Sequence, residues 1–347
     1  MQSEKLRYTE VDSLKGLAMF LVILGHAIIL YPVNLHENAA CLWLFRFAGS
    51  IHVMLFFLLS GFLFSYNGDS PSFLRKRFLR LGIPYLIFSL ADMLPRAFLA
   101  SFFNRPRSLS ESLLSLVFNG GEFWFLRALF LLNLLFIPLS LLQKRSILWR
   151  IAVECLLFVV AVYPWAKLDW YQFLDLDRLR LYPFFFNTGL LLRRRYPAVK
   201  GRLEAMKPFP LALTSLLLTA LWVLDVTFVR LPSWQAWVLL IATGLLGIAA
   251  VYTYTAWRPF NVFFSRFGPW TLQLYLLNGW TLGASRYFIC NILGITVPAV
   301  IIIFNVAVDF YFSYFLIKYV FARFRVLRFA MGIPETLRPA PVSVGHR

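Results

Sequence analysis

Charged residues are scarce in this chain of 347 residues. They make up 14% of it, against about 25% in ordinary globular proteins, whereas 60% of the residues are hydrophobic. Apolar runs close to the ~20 residues that cross a ~30 Å hydrocarbon core recur along nearly the whole chain. This composition predicts an all-α, polytopic integral membrane protein and leaves no soluble domain over.

Cysteine and histidine are also rare, with three and four residues. Cys41, Cys155 and Cys290 lack metal or redox spacing, so we expect no disulfide framework and interpret all three as buried small side chains. No HExxH-like pattern, P-loop or GxGxxG fingerprint occurs, so no metal site is expected. No small-residue cleavage site follows the first apolar run, which predicts a retained first helix.

Apolar windows and their charged or Pro/Gly boundaries predict about ten transmembrane helices. They cover residues 14–31, 42–66, 81–103, 123–142, 147–166, 181–192, 209–229, 234–256, 269–289 and 295–319. The chain, 1–347, is then a single transmembrane domain with its core at 7–320. Its only sizeable water-facing parts are expected to be the loop around 104–122 and the C-terminal tail.

The net charge of +18 is compatible with nucleic-acid binding until the positions of the cations are considered. With an even number of spans, both termini lie on the side that holds most of the 34 basic residues. These residues cluster at 75–80, 144–150, 193–207, 258–266 and in the two tails. The positive-inside rule makes that side the cytoplasm. The excess charge is therefore a topology signal, and nucleic acid is discounted.

The stretch DSLKGLAMFLVILGH, residues 12–26, carries Asp12, Lys15 and His26 on the first predicted helix. Lys15 and His26 are separated by about 1,100° of helical rotation and a rise of about 16.5 Å, so they share one face. Asp12 falls near the same stripe. Two interpretations remain open. Either Asp12 and Lys15 anchor the helix while His26 makes one interhelical hydrogen bond, or His26 is a general base or acyl-accepting nucleophile.

Two further stretches carry chemistry. HVMLFFLLSGFLF, residues 52–64, places His52 toward the outer end of its span and Ser60-Gly61 toward the inner half. The small pair indicates either close helix packing or room for a ligand. FLRKRFLRLGIPYLIF, residues 73–88, has a basic turn that includes Arg77 and Arg80. Such a turn suits anionic lipid or the phosphates of a nucleotide-bearing donor.

Other polar groups lie inside the predicted spans. Asp92 and Arg96, four residues apart, are expected to satisfy each other. Arg127 and Asp309 each need a partner across the bundle, and one hypothesis is that they pair with each other. The remaining ones are Glu154, Asn278 and Arg286.

Taken together, these segments resemble the acyltransferase 3 family. The resemblance extends to its branch of small membrane O-acetyltransferases, which includes sugar O-acetylases and the enterobacterial-common-antigen O-acetyltransferase. It covers about residues 7–320 and rests on ordered motifs. In HVMLFFLLSGFL, Val53-Met54 replaces the proline of similar segments, and in TLQLYLLNGW, Asn278 stands where relatives often have histidine. The other matching segments are DSLKGLAMFLVILGH, RKRFLRLGIPYLIF, FWFLRALF and YPFFFNTGLLLRR.

The resemblance implies a multi-pass protein of the bacterial cytoplasmic membrane that moves an acyl group, expected to be acetyl. The donor would be cytoplasmic acetyl-CoA, with no tightly bound cofactor, and the acceptor a hydroxyl of a glycan or lipid-linked sugar. The implied catalytic residues are His26, Lys15 and Asp12. The residues implied in substrate or donor binding are His52, Ser60, Arg77, Arg80, Trp124, Arg127 and Asn278.

Alternatives remain at two levels. His26 either carries the acyl group or takes a proton from the acceptor hydroxyl. The whole protein is an acyltransferase, a polysaccharide exporter or flippase component, or a membrane scaffold without turnover. Polar groups inside a bundle serve a transport pathway as naturally as a reaction.

Overall fold

The computed structural model of the chain describes residues 8–29, 35–98, 108–118, 120–163, 180–229 and 233–337. Within these ranges the regular structure is helical, and no strand occurs. The predicted all-α fold class is therefore confirmed. The helices are α1 (Thr9–Ile29), α2 (Ala39–Gly49), α3 (His52–Phe62), α4 (Ser70–Arg77), α5 (Ile83–Phe98), α6 (Leu109–Phe118), α7 (Trp124–Arg145), α8 (Ile147–Val162), α9 (Tyr182–Glu204), α10 (Pro208–Phe228), α11 (Ser233–Tyr254), α12 (Arg258–Ser265), α13 (Thr271–Tyr287), α14 (Pro298–Ala307), α15 (Ser313–Leu316) and α16 (Arg325–Ala330).

Among the residues that the structure describes, six helical stretches are long and apolar enough to cross a membrane, which makes this a multi-pass membrane protein. They are Thr9–Ile29, Ala39–Phe62, Leu109–Arg145, Pro208–Phe228, Gln235–Tyr254 and Pro298–Phe321. Four other predicted spans coincide with α5, α8, α9 and α13, which are too short or too polar to count by these criteria. The total of about ten spans, like the side on which the termini lie, stays a prediction.

Helix α1 lies inside the bundle and contacts α2, α3, α12, α13 and α14. On one side, Val11, Leu14 and Ala18 belong to a large apolar cluster with α3, α9 and α11. On the other side, Met19 and Ile23 belong to a second cluster with α7 and α13. Met19 and Ile23 share the face of α1 that carries Asp12 and His26.

Three glycines let neighbouring helices approach to backbone distance. A Cβ on Gly61 of α3 would lie 1.8 Å from the carbonyl oxygen of Phe186 in α9, and one on Gly189 would lie 1.9 Å from the oxygen of Leu58. A Cβ on Gly16 of α1 would lie 2.2 Å from the oxygen of Phe264 in α12. The Ser60-Gly61 pair therefore marks close helix packing, one of the two alternatives for this segment.

The second membrane stretch is interrupted. Predicted as one helix over 42–66, it consists of α2 and α3, which are separated at Ser50 and Ile51. The interruption begins α3 at His52, whose backbone therefore lies in a first helical turn rather than mid-helix.

Four segments of five residues are π-helical. Such wide turns add one residue to a helical turn, change which side chains share a face, and occur often at functional sites. One of them contains Arg80 and another contains Asp309. The segments are Phe78–Gly82, Phe288–Ile292, Val308–Phe312 and Ile317–Phe321.

Three expectations were wrong. The loop expected to face water around 104–122 contains helix α6 (Leu109–Phe118), which belongs to a stretch apolar enough to cross a membrane. Cys155 is exposed and Cys290 half-buried, so only Cys41 is the buried small side chain expected of all three. The start of the C-terminal tail is packed rather than water-facing, with Met331 and Ile333 buried in the second apolar cluster. Apolar side chains at these positions explain the difference, because they are stabilised by contact with α5 and α13.

Candidate active site on the inward face of the first helix

Asp12, Lys15 and His26 all lie on one uninterrupted helix, because α1 is regular from Thr9 to Ile29. The eleven-residue spacing of Lys15 and His26 therefore keeps them on one face. Asp12 is half-buried, and its backbone carbonyl lies against Gly268, just before α13. Lys15 is half-buried and close enough to Asp12 and Arg80 to interact with both electrostatically. The end of α1 that holds Lys15 is referred to below as the basic end.

Arg77 and Arg80 join Lys15 at this end. Arg77 is the last residue of α4, and Arg80 lies in the π-helical segment that follows. Burial and the neighbouring charge of Arg80 lower the pKa of Arg77 to about 10, which leaves it charged at neutral pH. Three cations thus converge without equal compensation from acids. Lys15, Arg77 and Arg80 form what we call the basic cluster, whose chemistry suits phosphate groups.

The C-terminal segment, residues 325–337, packs against the backbone of the basic cluster. Gly332 has a φ of +60°, and a Cβ there would lie 2.7 Å from the carbonyl oxygen of Arg80. The Gln273 side-chain amide of α13 donates a hydrogen bond of 3.0 Å to the Met331 carbonyl. This segment therefore holds the π-helical turn of Arg80 in place, a role that the sequence reasoning missed.

His26 is enclosed by the bundle, yet its side chain is exposed, whereas the adjacent Gly25 and Ala27 are buried. Of the three polar residues on this face, Asp12 and Lys15 are half-buried and His26 is exposed.

His52 lies close enough to His26 to interact with it electrostatically. Its Nδ1 is 2.7 Å from the Ala48 carbonyl oxygen, which only accepts hydrogen bonds. Nδ1 must therefore carry the proton in the neutral ring, which leaves Nε2 as an acceptor. The His52 side chain is half-buried, so Nε2 is available to a hydroxyl.

The other expected binding residues are distributed along α3 and α7. Ser60 donates its hydroxyl hydrogen to the Phe56 carbonyl of its own helix at 2.7 Å, so its oxygen is left as an acceptor. Trp124 is half-buried and stacks on Tyr182, with ring centroids 5.7 Å apart. Arg127 is half-buried, and its charge reaches Tyr85 of α5.

Asn278 is buried in α13, 4% exposed, and its Oδ1 has no hydrogen-bond partner in the part of the chain that the structure describes. The start of α13 lies at Asp12, and Arg286 near its end lies at Ala27. Helices α1 and α13 are therefore parallel, and Asn278 lies at a height between Lys15 and His26. A donor group that extended from Lys15 to His26 would pass Asn278.

The expected pairing of Arg127 with Asp309 is absent. Asp309 is fully buried and accepts hydrogen bonds from Thr281 and Ser313, while its Oδ2 has no hydrogen-bond partner among the described residues. Hydroxyl groups on adjacent helices satisfy one carboxyl oxygen, so a guanidinium is not required. The side chain of Arg96, the expected partner of Asp92, lies outside the described part of the chain.

Sequence reasoning also left Arg286 without a role. Its side chain is fully buried, and its guanidinium donates to the Ala27 carbonyl at 2.8 Å. An arginine inside an apolar span was the available signal. Its partner is a backbone oxygen about 260 residues away in sequence, which no side-chain pattern indicates.

The comparisons with known proteins identify one family. The model of the acyltransferase 3 family, described as an acyltransferase domain, matches residues 8–317. The matched range begins just before α1 and includes every side chain of the site described above. No curated protein and no solved structure matches the chain.

Proposed function

Because the chain belongs to the acyltransferase 3 family, we propose that it is an O-acetyltransferase that uses cytoplasmic acetyl-CoA to modify a sugar hydroxyl. The acceptor is a cell-surface glycan or a lipid-linked sugar. The enzyme works in the bacterial cytoplasmic membrane, with the basic end of α1 facing the cytoplasm. That orientation follows from the positive-inside rule.

The basic cluster supports the donor assignment. Acyl-CoA carries several phosphate groups, and charge-assisted hydrogen bonds from arginine are the usual means of binding them. Lys15, Arg77 and Arg80 bind these phosphates, and the thioester arm extends along the stripe of α1 toward His26. Asp12 interacts with Lys15 and holds the ammonium group at the cluster.

His26 contacts the reacting atoms as a general base. It takes the proton of the acceptor hydroxyl as the hydroxyl oxygen attacks the thioester carbonyl carbon. The carbon–sulfur bond breaks, and the CoA thiolate leaves with the proton from His26. Nε2 of His52 and the Oδ1 of Asn278 accept hydrogen bonds from substrate groups beside this centre.

The half-buried Trp124 supports a ring-shaped acceptor. It stacks on the buried Tyr182, which in turn stacks on the fully buried Phe57 at 4.3 Å between ring centroids. The two buried rings hold the indole in place, and an aromatic face with a polar N–H is typical of small-molecule sites. Arg127, three residues after Trp124, adds hydrogen-bond donors for the sugar oxygens. Ser60, deeper in α3, borders the donor arm.

The position of His26 on the same face of α1 as Lys15, with an exposed side chain on an otherwise largely buried helix, is the observation on which this proposal chiefly rests. An ionisable side chain at such a position in a membrane bundle marks a functional site by default. The position of His26 at the level of His52 supports a reaction centre more than a helix anchor.

The experiment reconstitutes the purified protein with radiolabelled acetyl-CoA and a glycan extract, and compares the wild type with His26→Ala. His36→Ala is the control for the loss of an imidazole, because His36 packs on Phe45 in a short turn before α2 and has no part in the proposed reaction. We expect transfer by the wild type and the control, and a loss of about a hundredfold or more in His26→Ala, the usual contribution of a general base.

Three results would change the assignment. Glycan transport without acyl transfer by the wild type would favour an exporter. Equal transfer by His26→Ala would remove His26 from the mechanism and leave the enzyme assignment standing. Label that stays on the protein in the absence of acceptor, and is lost in His26→Ala, would make His26 an acyl carrier.

A further inference from the structure

Arg286 is the largest side chain that the bundle buries completely. It lies one residue before the end of α13, near the thiols of Cys41 and Cys290. Apolar residues of α1 and α14, including Ile28 and Ile301, form the neighbouring cluster. A guanidinium in such surroundings is costly unless its hydrogen bonds are well placed, and in membranes a buried charge marks function by default.

The bond from Arg286 meets α1 next to His26. The guanidinium N–H of Arg286 donates at 2.8 Å to the carbonyl oxygen of Ala27, the residue that directly follows His26 in α1. A charged donor strengthens such a hydrogen bond. Arg286 therefore ties the part of α1 that carries His26 to α13.

Helix α13 is itself fixed in place on its opposite side. Ser285, adjacent to Arg286, donates to Asn305 of α14 at 2.8 Å, and Thr281 donates to Asp309. At the other end, Gly268 allows the chain before α13 to contact the backbone of Asp12. The parallel pair of α1 and α13 is thus held at both ends. The bond from Arg286 to the Ala27 carbonyl fixes the position of His26 along α1.

We propose that Arg286 is a positioning residue for His26. It holds α1 at Ala27, next to His26, so that the imidazole meets the acceptor hydroxyl, and it does not itself touch the substrate. This role rests on the proposed acyl transfer. Since Lys15 of the basic cluster lies eleven residues before His26 on α1, loss of the Arg286 bond affects the reaction step and leaves donor binding intact. A displacement of about 1 Å at a reacting group lowers rates by about a hundredfold.

The test measures kcat and the KM for acetyl-CoA in Arg286→Met and Arg286→Lys. Arg180→Met is the matched control, since Arg180 is also buried and donates at 2.8 Å to the Tyr163 carbonyl at the end of another helix, α8. We expect kcat to fall about a hundredfold in Arg286→Met with the KM for acetyl-CoA within about twofold of wild type. Lysine, which keeps a charged donor, should recover at least about tenfold of the loss.

A purely structural role predicts different results. If Arg286→Met and Arg180→Met lower the amount of folded protein alike, and kcat per folded molecule stays at the wild-type value in both, the proposal is wrong. If Arg286→Met does not fold, Arg286→Lys decides. A wild-type kcat combined with a lowered unfolding temperature in that variant contradicts positioning, whereas a reduced kcat at an unchanged KM supports it. Absence of transfer by the wild type would instead overturn the proposed function.

Discussion

The two histidines of the site differ in what their environment allows. His52 has one ring nitrogen bound to the Ala48 carbonyl, so its orientation and tautomer are fixed. The His26 side chain is exposed. A fixed acceptor is suited to hold a hydroxyl in one orientation, whereas an exposed imidazole is suited to take up the proton. Two histidines with separate tasks explain why a reaction centre would contain both.

At the same scale, we predict that Arg80→Gln raises the KM for acetyl-CoA by about tenfold or more, because one charge-assisted hydrogen bond to phosphate contributes about 1.5 to 3 kcal/mol. Added salt should raise the wild-type KM in the same direction by screening the cluster. The measurement is the initial rate against donor concentration in reconstituted vesicles.

Arg75→Gln is the control for this change. Arg75 is exposed, as Arg80 is, but it lies in α4 outside the basic cluster. We expect the KM of this variant to stay within about twofold of wild type, because a surface charge outside the binding site contributes little. Equal effects of the two substitutions would indicate a general attraction by the basic turn, and would remove Arg80 from a specific phosphate site.

Among the elements, the contact between α3 and α9 depends on the absence of two side chains. Gly61→Ala is expected to destabilise the protein by about 1 to 3 kcal/mol, the cost of overpacking a filled interior. Its Cβ would meet the Phe186 carbonyl, a backbone atom that cannot rotate away. The measurement is the free energy of unfolding in detergent.

Gly283→Ala is the matched control, because a Cβ at this helical position of α13 meets nothing within 4 Å. It should be neutral or stabilising by up to about 1 kcal/mol, the helix-propensity difference between glycine and alanine. A destabilisation as large as that of Gly61→Ala would show that loss of glycine, rather than the close approach, accounts for the effect.

Some elements of the site follow from sequence and others do not. The shared face of Lys15 and His26 depends only on helical geometry, so their spacing is sufficient. The break before His52 and the wide turn at Arg80 depend on packing by distant helices, which single-sequence periodicity does not contain. The hydrogen bond from Arg286 to Ala27 joins a side chain to a backbone carbonyl, and every residue has a backbone carbonyl. Only the folded structure determines which carbonyl accepts the bond.

For the whole molecule, the basic end of α1 predicts the side from which the donor is used. In sealed right-side-out membrane vesicles, external labelled acetyl-CoA should give no product, because the charged donor does not cross the membrane. Permeabilised vesicles and sealed inside-out vesicles should both label the acceptor. Labelling by sealed right-side-out vesicles would reverse the orientation derived from the positive-inside rule.

The packing of α1 against α12 and α13 has a consequence for biosynthesis. The ribosome delivers Gly16 and Ala27 long before Phe264 and Arg286, the residues that they contact. Contacts so distant in sequence form late, because a long loop must close first. Helix α1 is therefore inserted well before its contacts with α12 and α13 are complete. Until then, its lysine and histidine require shelter from lipid, which makes early folding of this protein a stage at which assistance by an insertase or chaperone has the most effect.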